Sequence, residues 1–230
     1  MLEPAATANP AYTYCDLRCE ICPLAGDCDV AAVTGGDGPL PPTPIAYAEL
    51  RDRRAVEIER RLERRMAEAY LAHGERPDLA RYQAALDRAL FDPLAERARE
   101  LERAAVDWLR RWHTRWSCQL RAPLREAGLV DALDDVGLDA ALVSDKVVRG
   151  LWLSGVGGHP AEVEQPLAQV RTALVALERL QTAWSTLAHA LPLTEAELER
   201  DRCARLAADL AARFPRATTF RRPGLDDGSR

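Results

Sequence analysis

Between residues 167 and 191, large apolar side chains recur at intervals of three and four: Leu167, Val170, Leu174, Leu177, Leu180, Trp184, Leu187 and Leu191. A helix turns so that residues three and four apart share a face, whereas a strand sends alternate residues to opposite faces. The spacing therefore predicts one long helix with a continuous apolar stripe. A stripe of that length has to be covered by other elements, and the chain offers only helices to do it.

Ile58, Leu62, Met66 and Ala69 repeat the pattern in an earlier helix that ends before Gly74. A second helix is expected from Asp78 to Phe91. Asp92-Pro93 is an N-cap followed by proline at the first helical position, so a third helix should run to about Leu120. Pro123 and Gly128 bracket a short helical turn. A further helix is expected over Leu138–Leu153, broken by Gly155-Val156-Gly157-Gly158. Thr194 with Glu197 forms a capping-box pattern for a last helix that stops at Phe214-Pro215. No alternating strand pattern and no internal repeat stand out. The expected fold class is all-α: a helical bundle of five to seven helices with a small N-terminal cysteine-rich metal-binding loop. The expected organisation is a loose tail over 1–11, the cysteine module over 12–30, a Gly/Pro linker over 31–44, the bundle over 45–214, and a disordered charged tail over 215–230.

Four of the six cysteines, Cys15, Cys19, Cys22 and Cys28, fall in one stretch with the spacing C-x3-C-x2-C-x5-C. Four converging thiolates carry strong negative charge and call for a cation or cluster. Structural zinc sites use the same donors, but usually as two C-x2-C knuckles separated by a dozen or more residues. Iron–sulfur loops more often draw closely spaced cysteines from one segment with a proline nearby. Pro23 follows the third cysteine, and Gly26 permits a tight turn before the fourth.

The segment from Cys19-Glu20-Ile21-Cys22-Pro23-Leu24 through Cys28 resembles the cluster loop of endonuclease III and MutY-type DNA glycosylases, spaced C-x6-C-x2-C-x5-C. The last three cysteines match that spacing, and Cys15 stands three residues closer than the family's first ligand. In that family the loop follows a helix-hairpin-helix domain, while here it lies near the N-terminus. Cys15, Cys19 and Cys22 also resemble the C-x3-C-x2-C signature of radical-SAM enzymes. That resemblance implies a β/α barrel, whose strands are not in this sequence, and an open iron that a fourth cysteine would fill. Each resemblance covers about fifteen residues. The expected cofactor is a [4Fe–4S] cluster on Cys15, Cys19, Cys22 and Cys28, with zinc as the alternative.

Composition sets the surroundings. Met1-Leu2-Glu3-Pro4-Ala5 reads as no secretory signal, and no stretch approaches the roughly 18 apolar residues of a membrane span. A cytoplasmic location is expected, where reducing conditions keep thiolates available. The net charge of −5 argues against a protein dominated by phosphate binding. A protein partner is expected; a membrane or nucleic-acid partner is not. No catalytic residue is assigned, and a non-enzymatic role is favoured. Lys146 is the only lysine, so 30 of the 31 basic residues are arginine. Arginine clusters therefore carry little weight as signals here.

Other features have plainer readings. Trp108, Trp112 and Trp116, with Arg110, Arg111, Arg115, Arg121 and Arg125 around them, could form a stacking surface for nucleic acid, but their i, i+4, i+8 spacing is that of a buried stripe. The seven arginines and six acids between Glu49 and Glu68 read as a salt-bridged solvent face. Gly155-Val156-Gly157-Gly158-His159-Pro160 reads as a loop rather than a phosphate cradle. His73, His113, His159 and His189 fit neither the Glu-x-x-His nor the H-E-x-x-H pattern. Cys203 reads as a buried small apolar residue, and Cys118 as an isolated thiol among polar neighbours.

Overall fold

A computed structural model of the chain describes residues 14–19, 22–34, 44–73, 78–116, 129–156, 164–190 and 194–226. Eight α-helices and no strand occur among the described residues: α1 (Asp29–Thr34), α2 (Pro44–His73), α3 (Leu79–Leu90), α4 (Pro93–Trp116), α5 (Leu129–Val156), α6 (Glu164–Ala190), α7 (Thr194–Arg213) and α8 (Pro215–Thr219). The fold is all-α helical. No described helix is long and apolar enough to cross a membrane.

Local chemistry explains the start of α4. Asp92 Oδ1 accepts a hydrogen bond from Leu94 N at 2.8 Å, which satisfies one of the first-turn donors of α4. Pro93 supplies the preset φ of the first helical position. Helix α5 begins at Leu129, well before the expected Leu138, because Gly137 does not break it. A Cβ at Gly137 would stand 3.3 Å from Leu109 Cδ1, so the missing side chain makes room for a neighbouring helix.

The chain divides into two units, one comprising 1–79 with 221–230 and the other 80–220. The boundary expected at residue 44 is therefore not where the contacts divide, because α2 packs with α1 and the cysteine loop. Two other expectations give way. Residues 31–34 of the expected linker belong to α1, and 35–43 lie outside the described residues. The tail expected to be disordered from 215 contains α8 and a turned segment reaching Asp226. Pro215 ends α7 by removing a backbone donor, and its fixed φ then starts a new short helix.

In the second unit α6 is the central helix. Val170, Leu174, Leu177, Leu180, Trp184 and Leu187 of the stripe are buried, and Leu167 is half-buried. Ala173, Ala176, Thr172 and Gln169 are buried as well, because α5, α7 and α8 pack on α6 from different sides. Each fully buried leucine contributes about 1.5–3 kcal/mol relative to exposure. Trp184 meets Trp108 of α4 edge to face at 5.0 Å between ring centroids. Trp152 Nε1 donates to Tyr82 O at 3.3 Å, which ties α3 to the end of α5.

Gly150 sets the approach of α5 to α6. A Cβ there would lie 2.7 Å from Val170 Cγ2 and 3.5 Å from Pro166 O. Alanine at 150 gains about 1 kcal/mol of helix propensity but costs about 1–3 kcal/mol through overpacking. The expected result for Gly150→Ala is a net loss of about 1 kcal/mol, read from the urea midpoint. Adding Val170→Ala should relieve part of the clash. A Gly150→Ala protein as stable as the parent would show that the two helices part without cost.

Candidate metal centre

The cysteine loop is a series of short turns, several of them closed at a cysteine. Cys22 N donates to Cys19 O at 3.2 Å, Ala25 N to Cys22 O at 3.2 Å, and Cys28 N to Ala25 O at 3.3 Å. Cys28 O then accepts from Ala32 N at 3.0 Å, which leads into α1. Between the second and fourth cysteines the chain closes a 3-10 turn over Ala25–Asp27. Small residues and Pro23 suit this path, since it repeatedly reverses direction.

The first reversal is made differently. Leu17, midway between Cys15 and Cys19, has φ 64° and is the one described non-glycine residue with positive φ. The left-handed conformation costs an ordinary side chain about 1–2 kcal/mol, so the surroundings must hold it. Both of its backbone groups are engaged. Leu17 N donates to Cys15 Sγ at 3.2 Å, and Leu17 O accepts from Arg54 Nη1 at 2.9 Å. Arg54 comes from α2 and is 1 % exposed.

These turns bring all four predicted ligands together. Cys15, Cys19, Cys22 and Cys28 line one cavity, with Asp16, Ala25, Ala31 and Leu225 completing its wall. Cys15 and Cys19 are buried, while Cys22 and Cys28 are partly open. Val30 and Ile58 form an apolar backing behind Cys15, against which Leu17 and Cys28 also pack. None of the four is in a disulfide.

The thiols are not equivalent. A hydrogen bond to Cys19, reinforced by burial, pushes the Cys15 thiol well above its ordinary range. The same bond lowers Cys19, helped by the nearby positive charge of Arg54. Burial raises Cys22, partly offset by a backbone N–H from Leu24. Cys19 is thus the thiol whose surroundings favour thiolate, the form that binds metal. Among the described residues, no group of three or more histidines, cysteines or carboxylates is already set to hold a metal ion. The four sulfurs nonetheless border one cavity, with a buried cation nearby and N–H groups directed at sulfur, surroundings that suit thiolate.

Several contributors were not foreseen. The arginine-rich stretch of α2 reads as a solvent face, and Arg61 does pair there with Glu57 at 2.8 Å. Arg51 and Arg54 are nevertheless buried. Their positions on the same side as Leu50 and Ile58 were the available signal. Arg222 and Leu225 fell in the presumed tail, where nothing local marks them.

Other candidates go to structure. Trp108 is buried against Trp184, and Arg110 and Arg111 pair with Asp107 and Glu195. The side chains of Trp112, Arg115 and Trp116, and residues Arg121, Arg125 and Cys118, lie outside what is described, as do 157–160 and the side chains of His73 and His113. His189 Nδ1 lies 2.8 Å from Ser185 O on an exposed face. Cys203 is fully buried, and burial pushes its thiol up to about 12. Comparison with protein-family models, curated proteins and solved structures finds no match to this chain.

Proposed function

We propose that this is an iron–sulfur protein whose N-terminal loop carries a [4Fe–4S] cluster on Cys15, Cys19, Cys22 and Cys28. The observation that supports this most is the shared cavity of the four cysteines. Such a cluster supplies a reversible one-electron site or a rigid crosslink, depending on potential and exposure. The chain's own groups perform definite tasks around it. Arg54 holds the Leu17 reversal and supplies positive charge beside Cys19. Leu17 N–H stabilises sulfur charge at Cys15. Val30 and Ile58 keep water from the inner side. The role that follows is structural, electron-transferring or redox-sensing, exercised with a protein partner in a reducing cytoplasm.

Zinc is the second reading, with an observation of its own. Cys15 and Cys19 shift each other's thiols in opposite directions, as close neighbours do, and the cavity is only about 10 Å³. A single ion holding thiolates at about 2.3 Å draws sulfurs close together, whereas a cluster binds each sulfur on a separate iron. The test is iron, acid-labile sulfide and zinc content of protein purified without oxygen, with a visible spectrum of the same sample. About four irons and four sulfides with brown absorbance support the cluster. One zinc in a colourless sample replaces it with a structural clip. Protein that holds neither metal, even after reconstitution, sinks both readings.

A further inference from the structure

The last described residues belong to the first unit, far along the chain from the cysteine loop they touch. Leu225 lines the cavity shared by the cysteines. Gly224, at φ 73°, packs so tightly on Leu24 that a Cβ there would stand 2.9 Å from both Leu24 methyl carbons. Arg222 is 5 % exposed, and its Nη1 lies 4.0 Å from Asp16 Oδ2, next to Cys15.

The segment is a built turn. The Asp226 carboxylate accepts from Arg222 N at 3.0 Å, Nε at 3.1 Å and Nη2 at 2.8 Å. Leu225 N and Asp226 N both donate to Arg222 O at 3.0 Å. The buried guanidinium therefore has one carboxylate within its own turn and faces a second on the cysteine loop. That arrangement orients the turn and presents Leu225 at a defined place.

We infer that Arg222–Asp226 is a component of the metal centre, with Leu225 shutting water and small reagents out of the cysteine cavity and Arg222 positioning the turn through Asp16. The inference rests on the metal-centre reading. Its physical content is that solvent access to the sulfurs sets how readily a thiolate-bound centre is lost and at what potential it works.

The test uses the full chain, metal-free and reduced, with iodoacetamide as probe and mass spectrometry to read each cysteine. Leu225→Ala should speed alkylation of Cys15 and Cys19 by about tenfold, as expected for easier local opening. Leu225→Met should stay near the parent rate, because an apolar side chain of similar size still fills the gap. Cys203, buried in the other unit, serves as internal reference and should stay slow throughout. Rates within about twofold of the parent for Leu225→Ala overturn the inference. Should Leu225→Ala bring the loop cysteines to the rate of urea-unfolded chain, Gly224→Ala decides. It keeps Leu225 but forces the turn off Leu24, so unchanged rates with Gly224→Ala count against the inference. On the iron-reconstituted protein, Leu225→Ala should release iron to a chelator about tenfold faster, and a parent-like release rate overturns the role at the centre. A parent protein that takes up neither iron nor zinc sinks the metal reading alone, since the alkylation rates still report whether the turn covers the thiols.

Discussion

Serine at Cys19, Cys22 or Cys28 is expected to abolish the cluster, with iron falling to background and the visible absorbance disappearing. A serine oxygen is a poorer ligand for iron than thiolate, and each cysteine is one of the four sulfur donors on the cavity. Cys15 is the ligand that departs from the glycosylase-type spacing, so Cys15→Ser is the informative fourth variant. Its sulfur accepts Leu17 N–H and packs on Val30 and Ile58. Loss of iron in all four variants, with far-UV circular dichroism unchanged, fits a four-cysteine centre. Full iron content and an unchanged spectrum in the Cys19, Cys22 or Cys28 variant would refute the assignment.

The second large effect lies in the other unit. Arg179 of α6 reaches across to Asp139 of α5 with two hydrogen bonds, Nε at 2.9 Å and Nη2 at 3.0 Å. Asp139 is fully buried, whereas the Arg179 side chain keeps 24 % of its surface open. Removing either partner takes a bidentate ion pair from the other, with unequal consequences. Arg179→Leu leaves a buried carboxylate short of its bidentate partner and should cost about 3–5 kcal/mol. Asp139→Leu leaves an arginine that can turn toward water, so its cost should be clearly smaller. The double variant should be more stable than the sum of the single losses implies, as a double-mutant cycle in urea would measure. Equal, additive losses would mean that the pair contributes little beyond its separate packing.

The two parts of the molecule were legible to different degrees. The stripe from Leu167 to Leu187 and the Asp92-Pro93 start of α4 could be read directly, because helical periodicity and capping depend on residues within one or two turns of each other. The four cysteines were legible for the same reason: their spacing is local and rare. Arg54 was not, since its neighbours in sequence are those of a charged surface helix. It is buried where it meets the carbonyl of Leu17, 37 residues away.

By itself, then, the sequence determined that the chain is helical and that four thiols crowd one short loop, because both follow from patterns within a few residues. Only the tertiary structure decided that the loop's reversal rests on a buried arginine of α2. It also decided that a turn from the far end of the chain lines the cysteine cavity, and that α2 belongs with the loop. These are contacts between segments distant in sequence, selected by which surfaces exclude water together and which buried charges find partners.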